Sequence, residues 1–229
     1  MSVLAIIPAR GGSRGIKNKN LSELSGHPLI SWTIKAAQQA ALVTRVIVST
    51  DDQEIASVAK DYGAEVPFIR PSSISTDTAD AASVVRHACE WAISSGNKFD
   101  MVCYLQPTSP LRHSKDIDAA IAKMTEADTV VSVFRVPHNL LPNSLMLNNE
   151  NGHLVFNMAE HLRLFRRQEK TDCYYARNGP AILISRLDNV VRGEGLYGKR
   201  IVSYEMPFYR SFDIDEQEDL DFIATIFTP

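Results

Sequence analysis

Apolar and polar positions follow two rhythms along this chain. Short continuous apolar runs, "VLAIIP" (3–8), "RVIVST" (45–50), "DMVCYLQ" (100–106) and "TVVSVFRV" (129–136), have the length and β-branched content of strands buried on both faces. Between them, apolar residues recur every three or four positions in "PLISWTIKAAQQAAL" (28–42), "DDQEIASVAKDYG" (51–63), "DAASVVRHACEWAISS" (80–95) and "SKDIDAAIAKMTEA" (114–127). That spacing predicts helices, the second ending at Gly63 and the last capped near Ser114. "AEVPFIR" (64–70) reads as one more short strand. The alternation predicts an α/β domain with a mostly parallel sheet, helices on both faces and ligands at the carboxyl ends of the strands.

The rhythm breaks near residue 137. Residues 137–176 hold a turn signal, "NENG", many aromatics and cations, and few helix-length apolar faces, so they predict an excursion built as a hairpin arm. "PAILISR" and "KRIVSYEMP" then return as strands, and "EQEDLDFIATIF" closes the chain as an amphipathic helix. With 229 residues, 45% of them hydrophobic, and no repeat or linker, the chain is expected to form one domain over 1–229 with the arm inside it.

Charge and cysteine usage narrow the partners. The 24 basic and 27 acidic residues leave a net charge of −3, which supplies no global attraction to nucleic acid or membrane; an anion site must be a local concentration. Cys89, Cys103 and Cys173 are odd in number and far apart, against a disulfide framework or zinc site and in favour of a reducing, cytoplasmic setting. No apolar run approaches the roughly 20 residues of a membrane span. The first residues also lack the charged region and cleavage site of a secretory leader.

The local concentration is "LAIIPARGGSRGIKNKN" (4–20), where glycines at 11, 12 and 15 accompany Arg10, Arg14, Lys17 and Lys19 without an acid. The glycine spacing fits neither the P-loop nor the dinucleotide fingerprint. Still, glycines admit backbone amides close to an anion, and four cations match a nucleoside triphosphate. In "SFDIDEQEDL" (211–220), Asp213 and Asp215 share a face if the segment is extended, as a magnesium ion would require. Asp215 with Glu218 equally matches a helix-capping pattern, and both roles stay open. "LQPTSPLR" (105–112) brings Gln106, Thr108, Ser109 and Arg112 to the end of a strand, where site residues are expected. "STDD" (49–52) and "STDTAD" (75–80) read as ordinary helix N-termini. None of the six histidines forms a metal-binding pair at helical spacing, and no histidine or glutamate in these motifs stands out as a general base.

Taken in order, "IIPARGGSRGIKNKNL", "VIVSTDD", "RPSSISTDTA", "LQPTSPLR", "YYARNGPAILI" and "SFDIDEQEDL" resemble the acylneuraminate cytidylyltransferases, the CMP-sialic acid synthetase family that activates nonulosonic acids. The resemblance runs over essentially the whole chain. It implies a Rossmann-like three-layer nucleotidyltransferase fold with a dimerisation arm at 137–176, a homodimer, and Mg²⁺ as cofactor. The implied reaction joins CTP to a nine-carbon acidic sugar and releases pyrophosphate. N-acetylneuraminic acid is the first substrate implied and legionaminic acid the second, since "VPHNLLPNSL" is similar to members acting on the latter.

The resemblance also assigns residues. Ala9, Arg10, Gly11, Ser13, Lys19 and Asn20 would contact the nucleotide, and Arg70 and the "STDTA" segment, with Thr78 in it, would border its pocket. Lys19, Arg10 and Gln106 would serve catalysis. Gln106, Thr108, Ser109, Arg177 and Asn178 would face the sugar, joined by Arg166 reaching a neighbouring subunit's sugar in trans, and Asp213 and Asp215 would hold the magnesium. Three competitors remain on sequence: a 3-deoxy-manno-octulosonate cytidylyltransferase, a metal-dependent glycosyltransferase using "DID", and a noncatalytic nucleotide-binding regulator.

Overall fold

The computed structural model describes residues 1–13, 15–163, 165–169 and 173–228, apart from the side chains of 162 and 167. The first apolar run forms β1 (Val3–Pro8). A two-residue hairpin, β2 (Glu23–Leu24) and β3 (His27–Pro28), leads into α1 (Leu29–Gln39), β4 (Arg45–Ser49) and α2 (Gln53–Asp61). Next come α3 (Ala81–Ser94), β5 (Met101–Tyr104), α4 (Ser114–Ala122) and β6 (Thr129–Arg135). A small hairpin, β7 (Met146–Asn148) and β8 (Leu154–Phe156), lies in the predicted arm and turns at Asn149–Gly152. The chain closes through β9 (Tyr175–Arg177), β10 (Leu183–Arg186), α5 (Leu187–Val191), β11 (Ile201–Glu205) and α6 (Gln217–Ile226).

The main sheet has the order β11-β6-β10-β5-β1-β4, with β9 also on β6. β1 is parallel to β4 and β5, and β11 to β6, while β9 and β10 run antiparallel to β6. The mostly parallel sheet is therefore as expected, with "PAILISR" entering reversed. Register along β6 makes β9 and β10 one strand broken by a bulge: Arg177 faces Val133, and Leu183 faces Val131. Gly179, at φ 115°, sits in that bulge, where a Cβ would come within 2.9 Å of Ser109 Oγ.

Alternation along β1 builds the three layers. Val3, Ala5 and Ile7 pack with Ile30 and Ile34 of α1, Ile55 of α2 and Ile117 of α4, whereas Leu4 and Ile6 pack with Val85 and Cys89 of α3 and Leu187 of α5. Each fully buried large aliphatic side chain contributes about 1.5–3 kcal/mol, so β1 is held from both faces. A third cluster joins Ile16 of the opening loop and Leu111 to Ile214, Leu220 and Ile223, docking the two ends of the sequence onto each other.

Local chemistry sets the boundaries. Asp52 caps α2 by accepting from the N–H of Glu54 and Ile55, and Asp80 caps α3 by accepting from Ser83 N–H. Gly63 ends the α2 turn at φ 81°. The helix expected near Ser114 is capped one residue earlier, where Asp116 accepts from His113 N–H. The strand expected over 64–70 reduces to one bridge, Ile47 to Glu65, because Pro67 has no N–H to donate to a ladder. All three cysteines are free; burial pushes the Cys89 and Cys103 thiols up to about 12, and Cys173 is exposed. Among the described residues no helix is long and apolar enough to cross a membrane.

Candidate active site

A cleft of about 630 Å³ opens where the carboxyl ends of β1 and β5 meet the opening loop and the segment before α6. Pro8 and Tyr104 mark the strand ends, and Arg10, Ser13, Gly15, Lys19 and Asn20 come from the loop. Ala9, fully buried, extends β1 by one rung through its N–H to Ser49 O at 3.0 Å. Gly11 N–H donates to Asp51 Oδ1 at 3.2 Å, and a side chain there would meet Asp52 Oδ2 at 2.5 Å. A Cβ on Gly15 would overlap the Asp215 carbonyl oxygen, so only glycine lets the loop lie on the 213–215 segment.

The loop's cations are held at the cleft wall. Lys19 Nζ donates to Ile214 O at 2.8 Å and Asp215 Oδ1 at 3.1 Å. Arg10 pairs with Asp77. The buried Asn20 donates to Arg10 O at 3.0 Å, so it fixes the loop from beneath. Arg70, also buried, donates to Ser75 Oγ at 3.0 Å and approaches Asp51 at 3.5 Å; burial lowers its pKa, with Asp51 opposing. Each of these three cations is matched by an aspartate, Asp215, Asp77 or Asp51, so an anionic ligand would take them by displacing a carboxylate.

Opposite them, Gln106 donates to the Tyr104 hydroxyl at 3.3 Å, and both line the cleft with Thr108. Burial raises the Tyr104 pKa and keeps the phenol neutral. Ser109, fully buried, donates to Asp213 Oδ1 at 3.1 Å, and Thr108 O accepts from Ile214 N–H at 2.9 Å. The "TS" pair therefore fastens the 213–215 segment to the loop after β5.

Asp213 and Asp215 both line the cleft while the intervening Ile214 is buried, the alternation expected of an extended segment. Burial pushes the Asp213 carboxyl above the usual range; Asp215 adds to this, while the hydroxyls of Thr108 and Ser109 and the Lys19 cation oppose it. The capping role considered for Asp215 with Glu218 falls away. The N-cap of α6 is Glu216, and Asp219 takes the N–H groups of Asp215 and Glu216 at 2.9 and 2.8 Å. Two carboxylates and no nitrogen or sulfur ligand form a donor set that fits magnesium, which takes one or two protein carboxylates and fills its remaining positions with water and phosphate oxygens. Among the described residues no group of three or more acidic, histidine or cysteine side chains offers a closed metal site.

Several sequence candidates stand away from this cleft. Arg112 is buried with its guanidinium spent on Ala181 O at 2.6 Å, Gln106 O at 3.3 Å and Thr33 Oγ1 at 2.6 Å; it pins the loop after β5 and does not line the cleft, which corrects its reading as a site residue. Asn178 is buried, accepting from Ser132 Oγ at 2.6 Å and donating to Ser211 Oγ at 3.1 Å, a full set of bonds beneath the cleft. Arg177 reaches Tyr197 OH at 2.9 Å instead. Thr78 lies behind Thr76 at 3.3 Å, and Lys17 and Arg166 are exposed away from the cleft. Arg14 lies outside the described residues.

Sequence reasoning missed Asp51, Tyr104 and Gly179; it placed the "STDTA" segment at the pocket, where Thr76, Asp77 and Ala79 line the cleft, but singled out Thr78 rather than Asp77. "STDD" and "STDTAD" carried a usable signal, because each has one aspartate more than a helix cap needs. Asp52 and Asp80 are the caps, and the spare Asp51 and Asp77 bind the opening loop.

Comparison with known proteins adds to the geometry. A family model described as cytidylyltransferase matches residues 4–226. The N-acylneuraminate cytidylyltransferase of Escherichia coli O18:K1:H7 is 30% identical over 98% of this chain and 52% of its own length, so the chain spans about half of that protein. The CMP-N,N'-diacetyllegionaminic acid synthase of Legionella pneumophila is 35% identical over 87% of this chain and 84% of its own. The pseudaminic acid cytidylyltransferase of Campylobacter jejuni is 30% identical over 99% and 97%. The fold is similar to that of a CMP:2-keto-3-deoxy-manno-octonic acid synthetase solved with CTP, at TM-score 0.73 and 17% identity, covering 99% of this chain and 98% of that one.

Proposed function

The chain belongs to the cytidylyltransferase family, and from that membership we propose that it joins CTP to a nonulosonic acid, with magnesium as cofactor and pyrophosphate as the second product. The observation that carries this reading is the meeting of Lys19 with Ile214 and Asp215 across 195 residues of sequence, which puts triphosphate-type cations and a carboxylate pair on one cleft. N-acetylneuraminic acid is the first substrate proposed and legionaminic acid the second; relatives acting on neuraminic, legionaminic and pseudaminic acids, by their names, support the class.

In this reaction the anomeric hydroxyl oxygen of the acid attacks the α-phosphorus of CTP. The bond from that phosphorus to the bridging oxygen breaks, pyrophosphate leaves with its electron pair, and the hydroxyl proton passes to solvent. The protein must align the two reactants and offset the charge on nucleotide and sugar. Arg10, Lys19 and Arg70 supply cations, and the glycines at 11, 12 and 15 let the loop's amides approach the phosphates. Gln106, held by Tyr104, would orient the sugar where it meets the nucleotide. Asp213 and Asp215 would hold the magnesium, whose contribution is neutralisation of phosphate charge.

The arm supports a homodimer. Leu147, Leu154 and Phe156 stand 54%, 66% and 39% exposed on a two-stranded hairpin, a form marginally stable alone and well suited to burial in a second copy. Arg166 on that arm would then reach the neighbour's sugar. The free thiols support a cytoplasmic setting.

Pyrophosphate release, assayed with CTP, ATP, GTP and UTP against N-acetylneuraminic, legionaminic, pseudaminic and 3-deoxy-manno-octulosonic acids, tests the proposal. Release requiring CTP and a nonulosonic acid supports it. Release with the octulosonic acid alone moves the chain to that branch, and none with any pair overturns the proposal.

A further inference from the structure

A second cavity, of about 500 Å³, lies between α1, the start of α4 and the end of α6, and shares no lining residue with the cleft. Its walls combine two features. Trp32, Tyr209 and Phe227 give it aromatic faces, with Trp32 and Phe227 packed edge-on at 4.6 Å between centroids. Lys35, Arg112, Lys115 and Arg210 give it positive charge, and among the described residues no aspartate or glutamate lines it. In a chain of net charge −3, that is a marked local excess.

Two of these cations have no carboxylate partner. The ion pairs of the described residues include neither Lys35 nor Lys115. Lys35 Nζ is held over the Trp32 ring, 4.5 Å from its centroid. Arg112, 2% exposed, bonds only to two carbonyl oxygens and a hydroxyl, and its buried Nε has no partner. A buried guanidinium without a bonded carboxylate is costly unless compensated. Arg210 differs, because the buried Asp116 behind it neutralises its charge.

We infer that this cavity binds a small aromatic anion, a planar ring carrying a phosphate group. The ring would pack against Trp32 and Phe227, and the phosphate would take Lys35 and Lys115. Leu111 of the cavity wall shares an apolar cluster with Ile214, and Arg210 lies three residues before Asp213, so an occupant would lie against residues that adjoin the segment carrying the cleft's carboxylates. The inference is independent of the reaction proposed above.

The test reads binding and not activity. The chain has two tryptophans, so Trp91→Phe leaves Trp32 as the sole tryptophan reporter. Phenyl phosphate is titrated against its emission, with inorganic phosphate as the second arm. The expected result is a saturable change with phenyl phosphate. Lys35→Glu and Lys115→Glu should each weaken that binding at least tenfold, without loss of circular dichroism signal or melting temperature. If either charge reversal fails to fold, the alanine variant at that position replaces it, with a threefold weakening expected. Inorganic phosphate should bind at least tenfold more weakly, for want of a ring. No saturable change, or binding that these variants leave intact, overturns the site; equal affinity for inorganic phosphate overturns the aromatic part of the assignment.

Discussion

Lys19 Nζ lies 3.1 Å from Asp215 Oδ1 and 2.8 Å from the Ile214 carbonyl oxygen, so the opening loop and the last segment before α6 close one wall of the cleft together. The lysine side chain is 13% exposed and the aspartate 76%, which leaves the carboxylate free to turn away when an anion takes the ammonium. Lys19→Ala is expected to lose about two to three decades of turnover, the ~3–4 kcal/mol that one charge-assisted contact to a transition state commonly supplies. Its melting temperature should stay near that of the parent, because a pair with so exposed a partner contributes at most about 1 kcal/mol. Pyrophosphate release and thermal melts check both halves; turnover within threefold of the parent removes Lys19 from the chemistry.

Glycines 12 and 15 separate packing from charge. A methyl group on Gly15 would overlap the Asp215 carbonyl oxygen, whereas one on Gly12 meets nothing within 4 Å. Gly15→Ala must push the loop off the 213–215 segment, at a cost of about 1–3 kcal/mol and with loss of activity. Gly12→Ala should be neutral to slightly stabilising. Equal melting temperatures for the two variants would show that the loop does not pack there.

Asp116 carries a predicted pH dependence. Burial pushes its carboxyl up, but bonds from Arg210, His113 N–H and the Tyr204 hydroxyl outweigh burial and hold it below the usual carboxylate range. Its unfolded value is about 3.9, so as pH falls the unfolded chain takes the proton first. The stabilisation is fully present above roughly pH 5 and drains away as pH drops through 3.9 toward the folded value. Asp116→Asn should therefore cost about 3 kcal/mol at pH 7, where it strands Arg210, and less at pH 3. Urea unfolding of both proteins at the two pH values measures the gap; a gap that does not narrow in acid refutes the assignment.

These residues also show why the fold was more legible than the site. Period-two and period-3.6 patterns depend on burial, and burial made β1, β5, β6 and α1 to α4 readable within a few residues. The reversal of β10 was hidden because a strand buried on both faces has the same composition in either direction. Polar residues at strand ends are ambiguous for a physical reason: Arg112 and Asn178 are placed where ligands bind, yet their hydrogen bonds turn inward and hold the cleft's floor. Asp213 and Asp215 were legible because their two-residue spacing fixes a shared face in any extended segment. The capping partner was not, since Glu218 and Asp219 differ by one position and only the backbone path selects Asp219.

Magnesium and nucleotide should be coupled in stability. At a hundredfold excess over its dissociation constant, a ligand of the native state adds about 2.7 kcal/mol. CTP with magnesium is expected to raise the melting temperature more than CTP alone, and Asp213→Asn should abolish the increment due to the metal while leaving the shift due to CTP. A parent protein whose CTP shift ignores magnesium would deny the carboxylate pair a metal-binding role.

The arm gives the last expectation. Leu147 and Leu154 are 54% and 66% exposed on a hairpin that, among the described residues, forms its own two-stranded sheet. Aspartate at either position should cost the isolated subunit less than about 0.5 kcal/mol, as surface substitutions do. In a dimer that buries the hairpin, the same change sinks an unpaired carboxylate twice, once per copy, and each burial costs several kcal/mol. Leu147→Asp and Leu154→Asp are therefore expected to weaken self-association at least a hundredfold with secondary structure unchanged, by light scattering across a dilution series. If Arg166 acts in trans, the dissociated variants should also show a raised KM for the acidic sugar against an unchanged KM for CTP. Variants that keep the parent's mass at every concentration would free the arm from any role in assembly.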